Sequence, residues 1–307
     1  TGVENTGPAS VSMSASNGDT IGINVGGNTQ PRNETVTFTG TESTSSESAS
    51  GTISDGGSDS ITVEGNQDAT LEITVSPQTV SSSATPSTNT DSERVDTSNM
   101  DHLKTVTVYH NQGGDEIFDI YKGDNTDRTT NSYFYDGETV HFGLDVSSYS
   151  YVDVVHVFND DYLTGVEVTG EARAESASLS VGSKSASFGT VDSTQTKTVT
   201  LSPGTHSVDF SSSNSRGVEY DLSWTETTAT KDPSVTINGT TVSHTGVLGG
   251  GEEVTESVTL ATGSQSANVS VTGPVDVSAS WIEVTKTTDP VVELNGHTTN
   301  YDGTLAA

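Results

Sequence analysis

Cysteine is absent from all 307 residues, which excludes disulfide staples and thiolate metal sites. Cationic residues are nearly as scarce, with 11 Lys plus Arg against 42 Asp plus Glu and a formal charge of −31. Long-range repulsion opposes approach to a phosphate backbone or an anionic membrane, so nucleic acid is set aside as a partner. No apolar run nears the roughly 18 residues that cross a bilayer, and no signal peptide is visible. Because the first residue is Thr1, we expect a processed chain or a piece of a longer one. The short patterns with a clear catalytic mechanism, G-x-S-x-G, H-E-x-x-H, G-x-x-x-x-G-K-[ST] and G-x-G-x-x-G, are missing as well.

Ser, Thr and Val, alternating through most of the chain, are what is there. Low aromatic content with high charge can mean disorder, but alternation of this kind is the period of a half-buried strand. A carboxylate-rich surface stays hydrated in molar salt, where the Debye length is only about 3 Å and self-repulsion is screened. In this the composition resembles that of haloarchaeal proteins.

One phrase occurs twice. "TKDPSVTING" at 230–239 returns as "TTDPVVELNG" at 287–296, with Pro233 and Pro290 57 positions apart. Laying 177–233 over 234–290 puts Trp224 on Trp281 and Gly182 on Gly239, the mark of a repeated structural unit. In "YDLSWTE", Tyr220, Leu222 and Trp224 alternate with Asp221, Ser223 and Thr225, so one face is buried and the other wetted. We therefore expect an all-β fold of tandem Ig-like β-sandwich modules: an N-terminal sandwich within 1–80, a Ser/Thr/Pro-rich linker or loop at 81–100, a distinct aromatic-rich β domain at 101–172, one repeat at 173–233 and a second at 234–290. Residues 291–307 begin a third copy, either truncated or offering its strands for exchange with a neighbour.

The middle segment stands apart. Seven of the nine Tyr and four of the seven His fall between 102 and 162. In "YVDVVHVF" (151–158) Val152, Val154, His156 and Phe158 share one side, as in a strand covered on both faces and central in its sheet. His102, His110, His141 and His156 lack the i, i+2 or i, i+4 spacing of paired metal ligands. His156 is expected to satisfy a backbone group through one ring nitrogen. Asp124, Asn125 and Asp127 offer hard oxygens for calcium in one turn and Asp55 and Asp59 in another, though neither completes a known loop and solvated turns serve as well. Tyr133 and Tyr135 share a strand face opposite Phe134. As exposed rings they would suit a glycan or protein partner, and as buried ones they would be the core that a domain of about 70 residues needs. Sequons at Asn33, Asn238 and Asn268 are candidate glycosylation sites, Asn238 lying in a predicted "NG" turn.

Acidic, cysteine-free, Thr/Val-rich modules with a recurring "DP.V..NG" phrase and a tryptophan near the end of each unit resemble the Ig-like repeats of haloarchaeal virus structural proteins and haloarchaeal cell-surface proteins. The resemblance is best over 177–307 and carries no catalytic residue. It implies a non-enzymatic structural protein of a virion surface, a tail fibre, spike or turret acting in assembly and host attachment. Its expected partners are other virion or surface-assembly proteins, further copies of itself, and a host glycan or surface-layer receptor, with no membrane insertion. The alternatives are an extracellular cell-surface adhesin or surface-layer-associated protein and a fragment of a carbohydrate-active enzyme.

Overall fold

The computed structural model describes residues 4–305 except 124–126, 159, 161 and 296, with side chains described at all but 127–131, 292 and 294 of these. No helix occurs among the described residues, hence none long and apolar enough to cross a membrane. The first strands are β1 (Glu4–Ala15), β2 (Thr20–Val25), β3 (Arg32–Gly40), β4 (Glu42–Ile53), β5 (Ser58–Val63) and β6 (Ala69–Ala84). The middle carries β7 (Ser92–Asp96), β8 (His102–His110), β9 (Asp115–Lys122), β10 (Asp127–Tyr135), β11 (Glu138–Asp145), β12 (Tyr151–His156) and β13 (Leu163–Ala172). Then come β14 (Ala174–Val181), β15 (Lys184–Val191), β16 (Gln195–Leu201), β17 (Gly204–Ser211) and β18 (Val218–Ile237). The last are β19 (Thr240–Ser243), β20 (Val247–Leu248), β21 (Glu253–Ser257), β22 (Gly263–Thr272), β23 (Val275–Lys286), β24 (Val291–Leu294) and β25 (His297–Asn300).

Two compact units result, one of residues 1–45, 64–68 and 225–307, the other of 46–63 and 69–224. The first unit holds one sandwich. One sheet runs β1-β23-β3-β21, and the other joins β2 to β22 and β22 to the second half of β18, with β19 beyond it. Phe38, Val36, Ile23, Ile237, Ala279 and Trp281 meet in its core. The second unit holds two cores. In one, the sheet β15-β14-β17-β5 faces a sheet made by β16, the first half of β6 and the first half of β18, around Leu71, Ile73, Leu179, Leu222 and Trp224. In the other, β10-β9-β12-β7 faces β11-β8-β13 and the second half of β6, around Phe118, Phe134, Leu103 and Val154.

The first two sandwiches share one plan. Each takes three strands from the N-terminal part of the chain (β1–β3 or β4–β6) and the rest from the C-terminal part, the second half of β18 to β23 in one and β14 to the first half of β18 in the other. The two trios pair alike: β2 joins β22 with Val25 opposite Gly263, and β5 joins β17 with Val63 opposite Gly204. Details recur at equivalent positions. Gly26 N–H donates to Glu283 at 2.7 Å and Glu64 N–H to Glu226 at 2.9 Å. A Cβ on Gly27 would lie 2.6 Å from the Val284 carbonyl oxygen, and one on Gly65 2.6 Å from that of Thr227. Only glycine allows so close a backbone approach.

This corrects the expected boundaries. Trp224 and Trp281 are both buried and belong to separate cores, as the repeat requires. Yet neither 173–233 nor 234–290 closes a sandwich alone, and 1–80 is no domain, because the C-terminal strands of each sandwich leave an apolar face that an N-terminal trio must cover. The superposition of Gly182 on Gly239 is also one residue out. Leu179 and Val181 pair as Val235 and Ile237 do, and Gly182 (φ 56°) takes the turn position of Asn238 (φ 51°). A single-residue slip would turn every side chain to the wrong face. The expected linker at 81–100 is replaced by the end of β6, where Ser81 pairs with Thr169, and by β7, with Val95 fully buried. Ladder hydrogen bonds come from the main chain, so serine-rich sequence does not prevent them.

Candidate functional site

The outer face of the sheet β10-β9-β12-β7 concentrates exposed aromatic surface. Alternation along β10 turns Phe134 fully into the core, where its ring meets Phe118 edge-on at 6.0 Å. Tyr133 and Tyr135 are thereby turned outward, each 59% exposed. Tyr133 stands opposite Ile117 and Tyr135 opposite Asp115 on β9. Val157 continues the row beyond β12, its N–H donating to the Ile117 carbonyl at 3.0 Å. Tyr133, half-buried Ile117 and exposed Val157 thus line up across adjacent chains of the sheet. Glu138 fixes the strand end by accepting the Tyr135 N–H at 2.7 Å.

One carboxylate of this sheet is paired internally. Asp153 is nearly buried and receives a bidentate pair from Arg94, Nε–Oδ1 2.8 Å and Nη2–Oδ2 2.9 Å. The same guanidinium lies 3.6 Å from the centre of the Tyr151 ring, a stacked cation–π geometry. Lys122 sits 5.1 Å over Tyr149. Two basic residues of a chain with few are therefore engaged here.

Two of the four histidines, His110 and His156, pack as core residues. His110 and His156 flank the Phe118 ring at 5.8 and 5.1 Å. His156 Nε2 lies 3.1 Å from Glu116 Oε2, and its Nδ1 accepts the Asp160 N–H at 3.4 Å. His110 Nε2 lies 3.0 Å from the Phe134 carbonyl oxygen. His102 is half-buried and His141 exposed. Among the described residues no group of three or more His, Cys, Asp or Glu could hold a metal ion.

Of the calcium candidates, Asp124 and Asn125 lie outside the described residues, as does the side chain of Asp127. Asp55 accepts the Ser212 N–H at 2.8 Å, and Asp59 accepts the Tyr220 hydroxyl and the Ser60 N–H. These carboxylates serve as structural acceptors. Asn33, Asn238 and Asn268 are all exposed. Asn238 occupies its turn with φ 51° and donates to Gln265.

Phe158 departs from the sequence reading. Alternation groups it with Val152, Val154 and His156 as inward, but β12 ends at His156 and Phe158 is 62% exposed, its ring edge-on to His156 at 5.8 Å. The signal is the run Asn159, Asp160, Asp161 directly after it, turn residues that end a strand. Ile117 and Val157 as members of the outer face are not foreseen by the sequence, since cross-strand neighbours depend on register.

No family model and no curated protein matches the chain. Among solved structures, a conserved protein of unknown function from Pseudomonas aeruginosa PAO1 is 10% identical, covering 70% of this chain and 82% of its own, with a TM-score of 0.16. VP17, a capsid protein of bacteriophage P23-77, is 7% identical, covering 72% and 96%, with a TM-score of 0.18. The VP16-VP17 complex of the same phage gives 6% identity, 71% and 98% coverage, and a TM-score of 0.12. The likeness to these viral capsid proteins is weak.

Proposed function

We propose that this chain is a non-enzymatic structural protein on the surface of a haloarchaeal virion, of tail-fibre, spike or turret type, with the outer face around Tyr133 and Tyr135 as its attachment contact. The observation that carries the attachment role is the pair of outward rings at Tyr133 and Tyr135 on either side of the fully buried Phe134. Phe134 anchors the strand, so the two rings are held on a fixed backbone and little entropy is lost when they bind. The structural role is supported by the interlacing of strands, which makes each repeated sandwich depend on segments from opposite parts of the sequence. The formal net charge of −31 suits an exterior in molar salt.

The test is binding to intact haloarchaeal cells in molar KCl. Wild type is expected to bind, and Tyr133→Ala with Tyr135→Ala to lose binding at least tenfold while keeping its circular dichroism. Undiminished binding by the double variant would refute the attachment face. A cell-surface adhesin would use the same exposed tyrosines; antibody labelling of purified particles against cell envelopes separates these assemblies. A carbohydrate-active fragment predicts turnover of a glycan in molar salt, lost on changing one carboxylate.

A further inference from the structure

The hairpin β24–β25 repeats, in its register and turn hydrogen bonds, a hairpin whose inner face is packed into a sandwich elsewhere in the same chain. In the end of β18 with β19, Ser234, Val235, Thr236 and Ile237 pair with Ser243, Val242, Thr241 and Thr240. The later hairpin keeps that register pair by pair: Val291, Val292, Glu293 and Leu294 pair with Asn300, Thr299, Thr298 and His297. Asp232 N–H donates to the Gly246 carbonyl at 2.9 Å and Asp289 N–H to that of Gly303 at 2.9 Å. Gly246 N–H returns to Asp232 Oδ1 at 2.7 Å and Gly303 N–H to Asp289 Oδ1 at 2.6 Å. His244 N–H donates to the Pro233 carbonyl at 2.9 Å and Tyr301 N–H to that of Pro290 at 3.0 Å. Asp232 and Asp289 have φ of 51° and 43°, and Asn238 and Asn295 both have 51°.

Their surroundings differ. Val235, Ile237 and Val242 are buried against β22 and the residues of β2 and β3. At β24–β25, Val291 is 62% exposed, Tyr301 49%, and all of β25 is exposed. By register Val292 and Leu294 hold the places of Val235 and Ile237. A two-stranded hairpin is marginal in water without such cover.

We propose that β24–β25 is the opening hairpin of a third sandwich, and that it is covered by a further pair of repeat segments of this polypeptide type. The two sandwiches already described specify that pair. The trio β4–β6 closes with β14 to the first half of β18, and the trio β1–β3 closes with the second half of β18 to β23, so the pairs are nested. A third pair in that order takes a trio of the β1–β3 kind ahead of β1 and continues from β25 through a tryptophan-bearing strand of the β23 kind. The inference stands apart from the attachment reading, since it uses none of the residues of that face.

The test uses the full chain, alone and extended by a second copy of residues 4–40 ahead of β1 and of 247–286 after Gly303. Amide exchange is read at 291–300 and at the twin 234–243. Alone, the hairpin exchanges at least 100-fold faster than its twin. Extended, it is protected to within tenfold of the twin. Protection already present in the unextended chain would overturn the proposal, and protection that grows with protein concentration would do so by making a second copy the occupant. If the extended chain folds, shown by a buried third tryptophan, and the hairpin still exchanges freely, the proposal also fails.

Discussion

The side chain of Asn28 closes a ring of two hydrogen bonds with the main chain of Lys286, donating from Nδ2 to its carbonyl at 2.6 Å and accepting its N–H at 2.8 Å. Asn66 does the same to Ala229, at 2.6 and 2.9 Å. Both follow a Val-x-Gly sequence at the end of the second strand of a trio. Each amide imitates a strand neighbour and ties a trio to the strand that carries its tryptophan.

Alanine at either position leaves a carbonyl and an N–H without their partner. Asn66→Ala, whose bonds are partly buried, is expected to cost about 1–3 kcal/mol, and Asn28→Ala, whose bonds are open to water, about 0.5–1.5 kcal/mol. Urea unfolding in molar KCl measures this. Wild-type stability in both variants would show the rings to be incidental.

Tyr220 donates its hydroxyl to Asp59, and its pKa is pushed up to about 12 by burial first, then by the hydrogen bond and charge of that carboxylate. Below the ordinary tyrosine value of about 10, both folded and unfolded chains keep the proton and this contribution to stability is complete. As pH rises from about 10 toward 12 the unfolded chain releases the proton first, so stability is lost over that window. Tyr220→Phe is expected to flatten the alkaline limb of a stability-against-pH curve. In the acid range, Asp59 is held below its usual value, chiefly by the same hydroxyl, so its titration followed by NMR should move upward in the variant. An unchanged Asp59 titration would refute the pairing.

The charge of −31 predicts a melting midpoint that rises as KCl goes from 0.1 M to molar, because screening relieves self-repulsion. Each kcal/mol gained moves the midpoint by about 2–4 °C for domains of this size. A midpoint that stays level or falls would contradict the reading of the surface as adapted to salt.

The tryptophan period and the turn phrase "DP.V..NG" were legible in the sequence because they rest on local rules: a bulky ring on an alternating strand, and an Asn-Gly turn that needs positive φ. The partner of each repeat was not legible. Which trio covers Trp281 depends on pairing Ala9 with it, a contact between opposite ends of the chain that no local period encodes. The repetition of the trios was hidden because Ile23 and Ile61, or Phe38 and Val75, match in burial while the residues around them differ in identity. At the candidate site, alternation set Tyr133 and Tyr135 on one face and Phe134 on the other, but which of the two faces met the core, and the companions Ile117 and Val157, depended on tertiary packing and register.

The most direct test of the account concerns which half of the chain completes which core. In single-tryptophan chains, Trp281→Phe leaves Trp224 as the probe and Trp224→Phe leaves Trp281. Leu71→Asp, opposite Trp224 in the ladder, should shift the emission of Trp224 to the red, and Val36→Asp, in the core of Trp281, should shift that of Trp281. Each tryptophan should answer mainly to the trio of its own sandwich. If Val36→Asp exposed Trp224 and spared Trp281, or if neither tryptophan answered to an N-terminal substitution, the interlaced architecture would be contradicted.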